Sequence, residues 1–147
     1  MIELGWREWL SLPELGIARL RAKIDTGARS SALHVDRQWR FHDAGAPWVG
    51  FQLTTGRAGR NQVEACAPIF DERAVTDSGG HRCVRVFIQT LLQVAGEQRR
   101  IEVNLSDRCA MRFPMLLGRT GLEGAFTVNP SSSFLHSRPA LQTGHHT

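Results

Sequence analysis

No stretch of this chain looks able to cross a bilayer. Its apolar runs are short, Met115-Leu116-Leu117 among the longest, against the roughly 20 apolar residues a spanning helix needs. The start, MIELGWREWL, mixes Glu3, Arg7 and Glu8 with its apolar residues. It lacks the basic-then-apolar order of a secretory signal, so a cytoplasmic location is the expectation. Lysine is nearly missing, Lys23 being the only one. Cysteine is sparse: Cys66, Cys83 and Cys109 are too few and too scattered for a disulfide framework and suit a reducing compartment. Each reads as a small buried apolar residue. There is no CxxC, no HExxH and no GxxxxGK[ST] phosphate loop. The histidines (His34, His42, His81, His136, His145 and His146) form no close ligand pair in the folded part, and His145-His146 lie in what reads as a loose tail. Neither a metal nor any other cofactor is expected. A lone strand histidine such as His34 is more often packed or hydrogen-bonded in a core.

What is present describes one domain. The chain has 147 residues, is 41% hydrophobic and carries a formal net charge of +4. That length buries a real core. Arginine supplies nearly all the positive charge, and its planar fork suits carboxylates and phosphates. An acidic peptide, nucleic acid or merely a solvated basic surface all remain open on composition alone. Alternation and β-branched or aromatic residues predict strands near 5–11, 18–25, 31–41, 47–54, 61–70, 72–77, 81–94, 98–106 and 114–118. Glycine-containing turns separate them at Asp43-Ala44-Gly45, Thr55 to Gly59, Asp77 to Gly80 and Ala95-Gly96. One short helix fits around Arg119 to Leu122. The expectation is an all-β fold with that single short C-terminal helix. Residues 1–135 read as the domain and 136–147 as a disordered tail.

Two stretches carry the chemistry. In AKIDTGARSSALH, Asp25 stands at the end of a strand, with a hydroxyl at Thr26 and small residues at Gly27 and Ala28. A carboxylate so placed serves as a catalytic acid or equally as an Asx-turn residue. Far downstream, Phe113-Pro114-Met115-Leu116-Leu117-Gly118-Arg119 reads as a buried strand ending in Gly-Arg. The pair "IDTGA" and "LLGR" resembles the retroviral-type aspartic proteases, the retropepsins. The resemblance is closer to bacterial retropepsin-like proteins that carry the label ATP-dependent zinc protease. Their run K-[IV]-D-T-G-A-R-[TS]-S-[AS]-L-H matches residues 23–34, their G-W-R-E-W start matches Gly5 to Trp9, and their D-R element matches Asp107-Arg108. Their closing F-x-V strand matches Phe126-Thr127-Val128.

The resemblance implies a closed acid-protease barrel and a homodimer in which each subunit gives one aspartate, Asp25. Two carboxylates that close do not both ionise readily. They share a proton and titrate as a pair, a behaviour for which aspartic proteases are the standard example. It also implies that Thr26 braces the pair and Gly27 offers its carbonyl to substrate. Ala28 and the segment Leu117, Gly118 and Arg119 support the loop. Asp77-Ser78-Gly79 is a variant of the motif but lies too near Asp25 for a second lobe. It reads as a hairpin tip, with Gly79 and Gly80 either a mobile flap or an ordinary exposed turn. Arg29 departs from the viral enzymes, which place an acid there to hold the arginine of "LLGR". Arg119 therefore needs another acid, Asp107 or Glu123, and Arg29 is left to face the cleft. That favours an acidic peptide, such as the glutamate tail of a ribosomal protein, since the family occurs alongside a glutamate-adding ligase. The rival readings are a non-catalytic module of the same fold that binds such a partner and, least favoured, a nucleic-acid binder. The last needs exposed aromatics, whereas Trp6, Trp9, Trp39 and Trp48 read as buried.

Overall fold

The structure, a computed structural model, describes residues 1–56, 61–76, 79–107 and 113–136. Twelve strands occupy most of it: β1 Ile2–Gly5, β2 Arg7–Leu12, β3 Ile17–Ile24, β4 Ser31–Val35, β5 Arg37–Asp43, β6 Ala46–Thr54, β7 Gln62–Pro68, β8 Asp71–Thr76, β9 Arg82–Val94, β10 Glu97–Asp107, β11 Met115–Leu117 and β12 Phe126–Asn129. One helix, α1 Arg119–Leu122, follows β11. The fold is all-β with one short helix, as the pattern predicts.

Period-two alternation explains most strands. In β3, Leu20, Ala22 and Ile24 point inward while Arg19, Arg21 and Lys23 keep their charge toward solvent. In β6, Val49, Phe51 and Leu53 are each 0% exposed. The long β9–β10 hairpin turns at Ala95 and Gly96, both at positive φ (54° and 78°). That pair of left-handed residues matches the right-handed twist of the flanking strands.

The sheets do not make one clean barrel. A seven-stranded sheet runs β10-β4-β11-β3-β2-β9-β8, and β9 also pairs with β10, so six of its strands form a closed circuit. The circuit is thinnest at β2–β9, paired only through Ser11 and Gln93. A three-stranded sheet, β5-β6-β7, and a parallel two-stranded one, β1-β12, lie outside it. Leu10, Leu20, Leu33, Phe51, Ile88 and Leu105, each under 2% exposed, fill the centre.

Four expectations need correction. The run 31–41 is two strands: the Asp36 N–H donates to the Gln52 carbonyl (2.7 Å) and its Oδ2 accepts from Thr54 Oγ1 (2.7 Å), turning the chain from one sheet into another. Likewise the run 5–11 breaks at Trp6, whose N–H donates to the Ser132 carbonyl (2.8 Å) and whose own carbonyl accepts from Ile24 (2.7 Å). Cys66 and Cys83 are exposed, not buried, because both lie on strand faces that no second layer covers; Cys109 falls outside the described residues. The four tryptophans are half-buried. Trp39 lies flat on Gly50, where a Cβ would strike its ring, and Trp48 packs on Phe41 at 6.1 Å.

The segment after β12 is anchored as far as His136. Glu8, 0% exposed, accepts from the backbone N–H groups of Gly5 (2.7 Å), Leu135 (3.0 Å) and His136 (3.4 Å). Residues 137–147 fall outside the described residues. A buried carboxylate that satisfies backbone donors on two segments holds both in place. Glu8→Ala would leave those donors unpaired, so a loss of about 2–4 kcal/mol of unfolding free energy is expected in urea titration.

Candidate active site

The local sequence makes Asp25 the last residue that β3 can position. Ile24 is buried and registers with Leu117 of the parallel β11. The Asp25 N–H donates to the Leu117 carbonyl at 2.9 Å, extending that pairing by one residue. The chain then turns. Asp25 Oδ1 accepts from the Gly27 N–H at 2.9 Å, and the Asp25 carbonyl accepts from Ala28 at 3.3 Å. Of the two side-chain oxygens of Asp25, Oδ1 closes the turn, while Oδ2 makes no hydrogen bond among the described residues. A Cβ on Gly27 would lie 3.3 Å from Asp25 Oδ1, a tight contact.

The apolar-apolar-Gly segment packs directly on this loop. Leu117 and Gly118 are buried, and the Gly118 N–H donates to Ser31 Oγ at 3.0 Å. A Cβ on Gly118 would run into the Ser30 carbonyl and stand 2.9 Å from the Ala28 carbonyl oxygen. The first turn of α1 then donates its free N–H groups to the loop, Arg119 to the Ala28 carbonyl at 2.7 Å and Thr120 to that of Arg29 at 3.1 Å. Arg119 pairs with Glu123 at 3.6 Å, one of the two acids considered for it, on an exposed face where such a pair is worth little. Thr26 and Gly27 are exposed, Ala28 half-buried, and Arg29 exposed with no acid against it among the described residues.

A groove of about 1240 Å³ opens over this loop, with Asp25, Gly27, Ala28 and Arg29 along one side. Its floor comes from β4 and β10 through Ala32, His34, Glu102, Asn104 and Ser106, and its far wall from β8 and β9 through Arg73, Val75, Arg85 and Phe87. Gly79 lines it, and Gly80, at φ 83°, is exposed beside it. Asp77, Ser78 and Arg108 fall outside the described residues. Five cations (Lys23, Arg29, Arg73, Arg85 and Arg100) line the groove, against three carboxylates (Asp25, Glu102 and Asp107). Asp71, behind Arg73, has its pKa held below the usual carboxylate range by the Arg73 hydrogen bond first and the Glu72 N–H second.

His34 is a core histidine: it is 7% exposed and its Nδ1 lies 2.7 Å from Ser106 Oγ. Among the described residues no group of three or more His, Cys, Asp or Glu side chains is placed to hold a metal. Among the described residues, the donors present do not fit a zinc site. Sequence reasoning did not single out Arg73, Arg85, Asn104 or Ser106. The available signal was a polar residue at every second place in VNLS, which puts polar groups on one face without saying what that face looks onto.

A family model described as retropepsin-like aspartic endopeptidase RimB matches residues 3–139. Relatives named probable alpha-L-glutamate ligase match most of the chain. That of Desulfotalea psychrophila is 36% identical over 87% of this chain and 28% of its own length. That of Shewanella pealeana is 33% identical over 89% and 29%, and that of Parasynechococcus marenigrum 34% over 90% and 28%. The chain thus spans less than a third of the length of these curated relatives. The crystal structure of Lpg0085, a Legionella pneumophila protein of unknown function, superimposes with a TM-score of 0.74 at 24% identity, covering 91% of this chain and 97% of that one. It supports the fold alone.

Gly118→Ala would force the β11–α1 junction away from the loop. A loss of about 1–3 kcal/mol is expected in the unfolding free energy, the usual cost of overpacking. Thr120 meets the loop through its backbone N–H, so Thr120→Ala is expected to leave the unfolding midpoint within experimental error.

Proposed function

The chain belongs to the RimB-like family of retropepsin-like aspartic endopeptidases, and on that basis we propose that two copies join about a two-fold axis to hydrolyse a peptide bond. Each copy contributes one Asp25. The observation that carries this is the state of that carboxylate, which lines the groove: Oδ1 is fixed by the Gly27 N–H while Oδ2 makes no hydrogen bond among the described residues. A chain with one such aspartate needs a second copy to complete a dyad. The ionised carboxylate takes a proton from a water between the pair as its oxygen attacks the carbonyl carbon. The protonated carboxyl gives its proton to the carbonyl oxygen. The resulting gem-diol collapses, the C–N bond breaks, and the amine leaves with a proton returned from the dyad. Thr26, exposed beside Asp25, braces the pair, and Gly79 and Gly80 belong to a flap over the groove.

The substrate we propose is a glutamate-rich tail, such as one on a ribosomal protein. The surplus of cations around the groove supports it, as do relatives named for glutamate ligation. Among the described residues no helix is long and apolar enough to cross a membrane. A cytoplasmic site of action completes the reading, in keeping with the exposed free thiols of Cys66 and Cys83.

A second reading has its own support. The matching relatives are named ligases and contain this region as a minor part, which suits a module that holds an acidic tail without cutting it. Cleavage of a glutamate-tailed peptide, followed across pH with chelator present and mass read by light scattering, separates the two. Cleavage by a dimer is expected, with Asp25→Asn lowering the rate by about 10²–10⁴-fold at unchanged mass. A dimer that binds the peptide and never cuts it would support the module, and activity lost to chelator and restored by zinc would overturn the two-aspartate chemistry.

A further inference from the structure

We propose that Arg85 is the residue that recognises a substrate side-chain carboxylate in the groove, and that Asn104 positions it. This deepens the acidic-peptide reading above and rests on it for the choice of ligand.

The register of the β8–β9 hairpin sets Arg73 directly opposite Arg85. Both line the groove. Like charges at opposed positions of an antiparallel pair oppose its formation, so each needs compensation. Arg73 has it: its Nε donates to Asp71 Oδ2 at 2.7 Å, its Nη2 donates to Glu102 Oε1 at 2.8 Å, and its guanidinium lies 4.4 Å from the Phe87 ring centroid. Both acids of the neighbourhood are thus spent on one arginine.

Arg85 receives only neutral acceptors. Its Nη1 donates to Asn104 Oδ1 at 3.2 Å and its Nε to Cys83 Sγ at 3.3 Å. No carboxylate pairs with it among the described residues. A guanidinium held half out of water, facing another, gains little from an amide and a thiol. A planar anion entering the groove supplies what is lacking, and a carboxylate does so with charge-assisted, fork-matched hydrogen bonds.

The seat is built to hold the arginine still. Asn104 is 1% exposed, and its Nδ2 donates to the Ser31 carbonyl at 2.9 Å, which fixes the amide so that Oδ1 faces Arg85. Ser31 is the residue whose Oγ receives the Gly118 N–H. The arginine is therefore referenced, through two side chains, to the segment that supports the Asp25 loop. Arg29 has no such seat, being exposed on the loop itself, and Arg100 is already engaged by Glu14 at 2.9 Å.

The test uses full-length Asp25→Asn protein, so that binding is read without cleavage, titrated with hexaglutamate and hexaglutamine peptides. Arg85→Gln on that background is expected to weaken hexaglutamate binding about ten- to a hundredfold and to leave hexaglutamine binding unchanged. Arg85→Lys, which keeps the charge without the fork, should fall between. The unfolding midpoint should not drop in Arg85→Gln, because the arginine has no internal acid to lose. A merely structural arginine would instead lower that midpoint and weaken both peptides alike. Hexaglutamate affinity unmoved by Arg85→Gln would overturn the assignment while leaving the acidic-peptide reading intact. Selective binding that Arg85→Gln abolishes, in a protein whose Asp25 form never cleaves, would uphold Arg85 and count against catalysis. Failure to bind hexaglutamate at all would overturn both.

Discussion

The backbone stitching between the Asp25 loop and the β11–α1 junction governs this molecule. A helix start has N–H groups that its own turns cannot satisfy, and a loop that doubles back has carbonyls with the same need. Here each supplies the other: Arg119 and Thr120 donate to Ala28 and Arg29. The two segments come that close only because position 118 has no side chain. The loop's shape is therefore set by main-chain groups, and little of it depends on exposed side chains. That leaves Thr26, Arg29 and the outer carboxylate oxygen of Asp25 available for encounters with something else.

The electrostatics of the groove follow from how the cations are answered. Arg73 and Arg100 are neutralised within the chain by Asp71, Glu102 and Glu14. Lys23, Arg29 and Arg85 have no acid partner among the described residues. A protein gains nothing for its own stability by leaving arginines unanswered around a concavity, so such a residue is best understood through what enters. A surface of alternating strands also explains the distribution. In β9, Val86 and Ile88 are committed to the core, and Arg85 stands on the alternate face.

How far the sequence disclosed this depends on the range of the interactions involved. The helix after Gly118 and the joining of two motifs remote in sequence were legible, because each is written in consecutive residues that admit few backbone courses. The breaks at Trp6 and Asp36 were not, since each is made by partners distant in the chain, Ser132 for the one and Gln52 with Thr54 for the other. Exposure of Cys66 and Cys83 was missed for a related reason. Alternation tells which residues share a face, and only the assembled sheets tell whether that face is covered. Arg85 and Asn104 were hidden in the same way, in strands whose hydrophobic rhythm is ordinary. Arg29 was noticed because it broke a motif.

The anchoring of residues 132–136 has a further consequence. Strands β1 and β12 run side by side in the same direction, and the segment after β12 folds back until His136 Nε2 lies 2.8 Å from the Glu3 carbonyl oxygen, which accepts its hydrogen. The two ends of the described fold therefore meet at one spot on its surface. A unit whose entry and exit coincide can be spliced into a host polypeptide, or have its ends joined and be reopened elsewhere, without its strands being re-threaded.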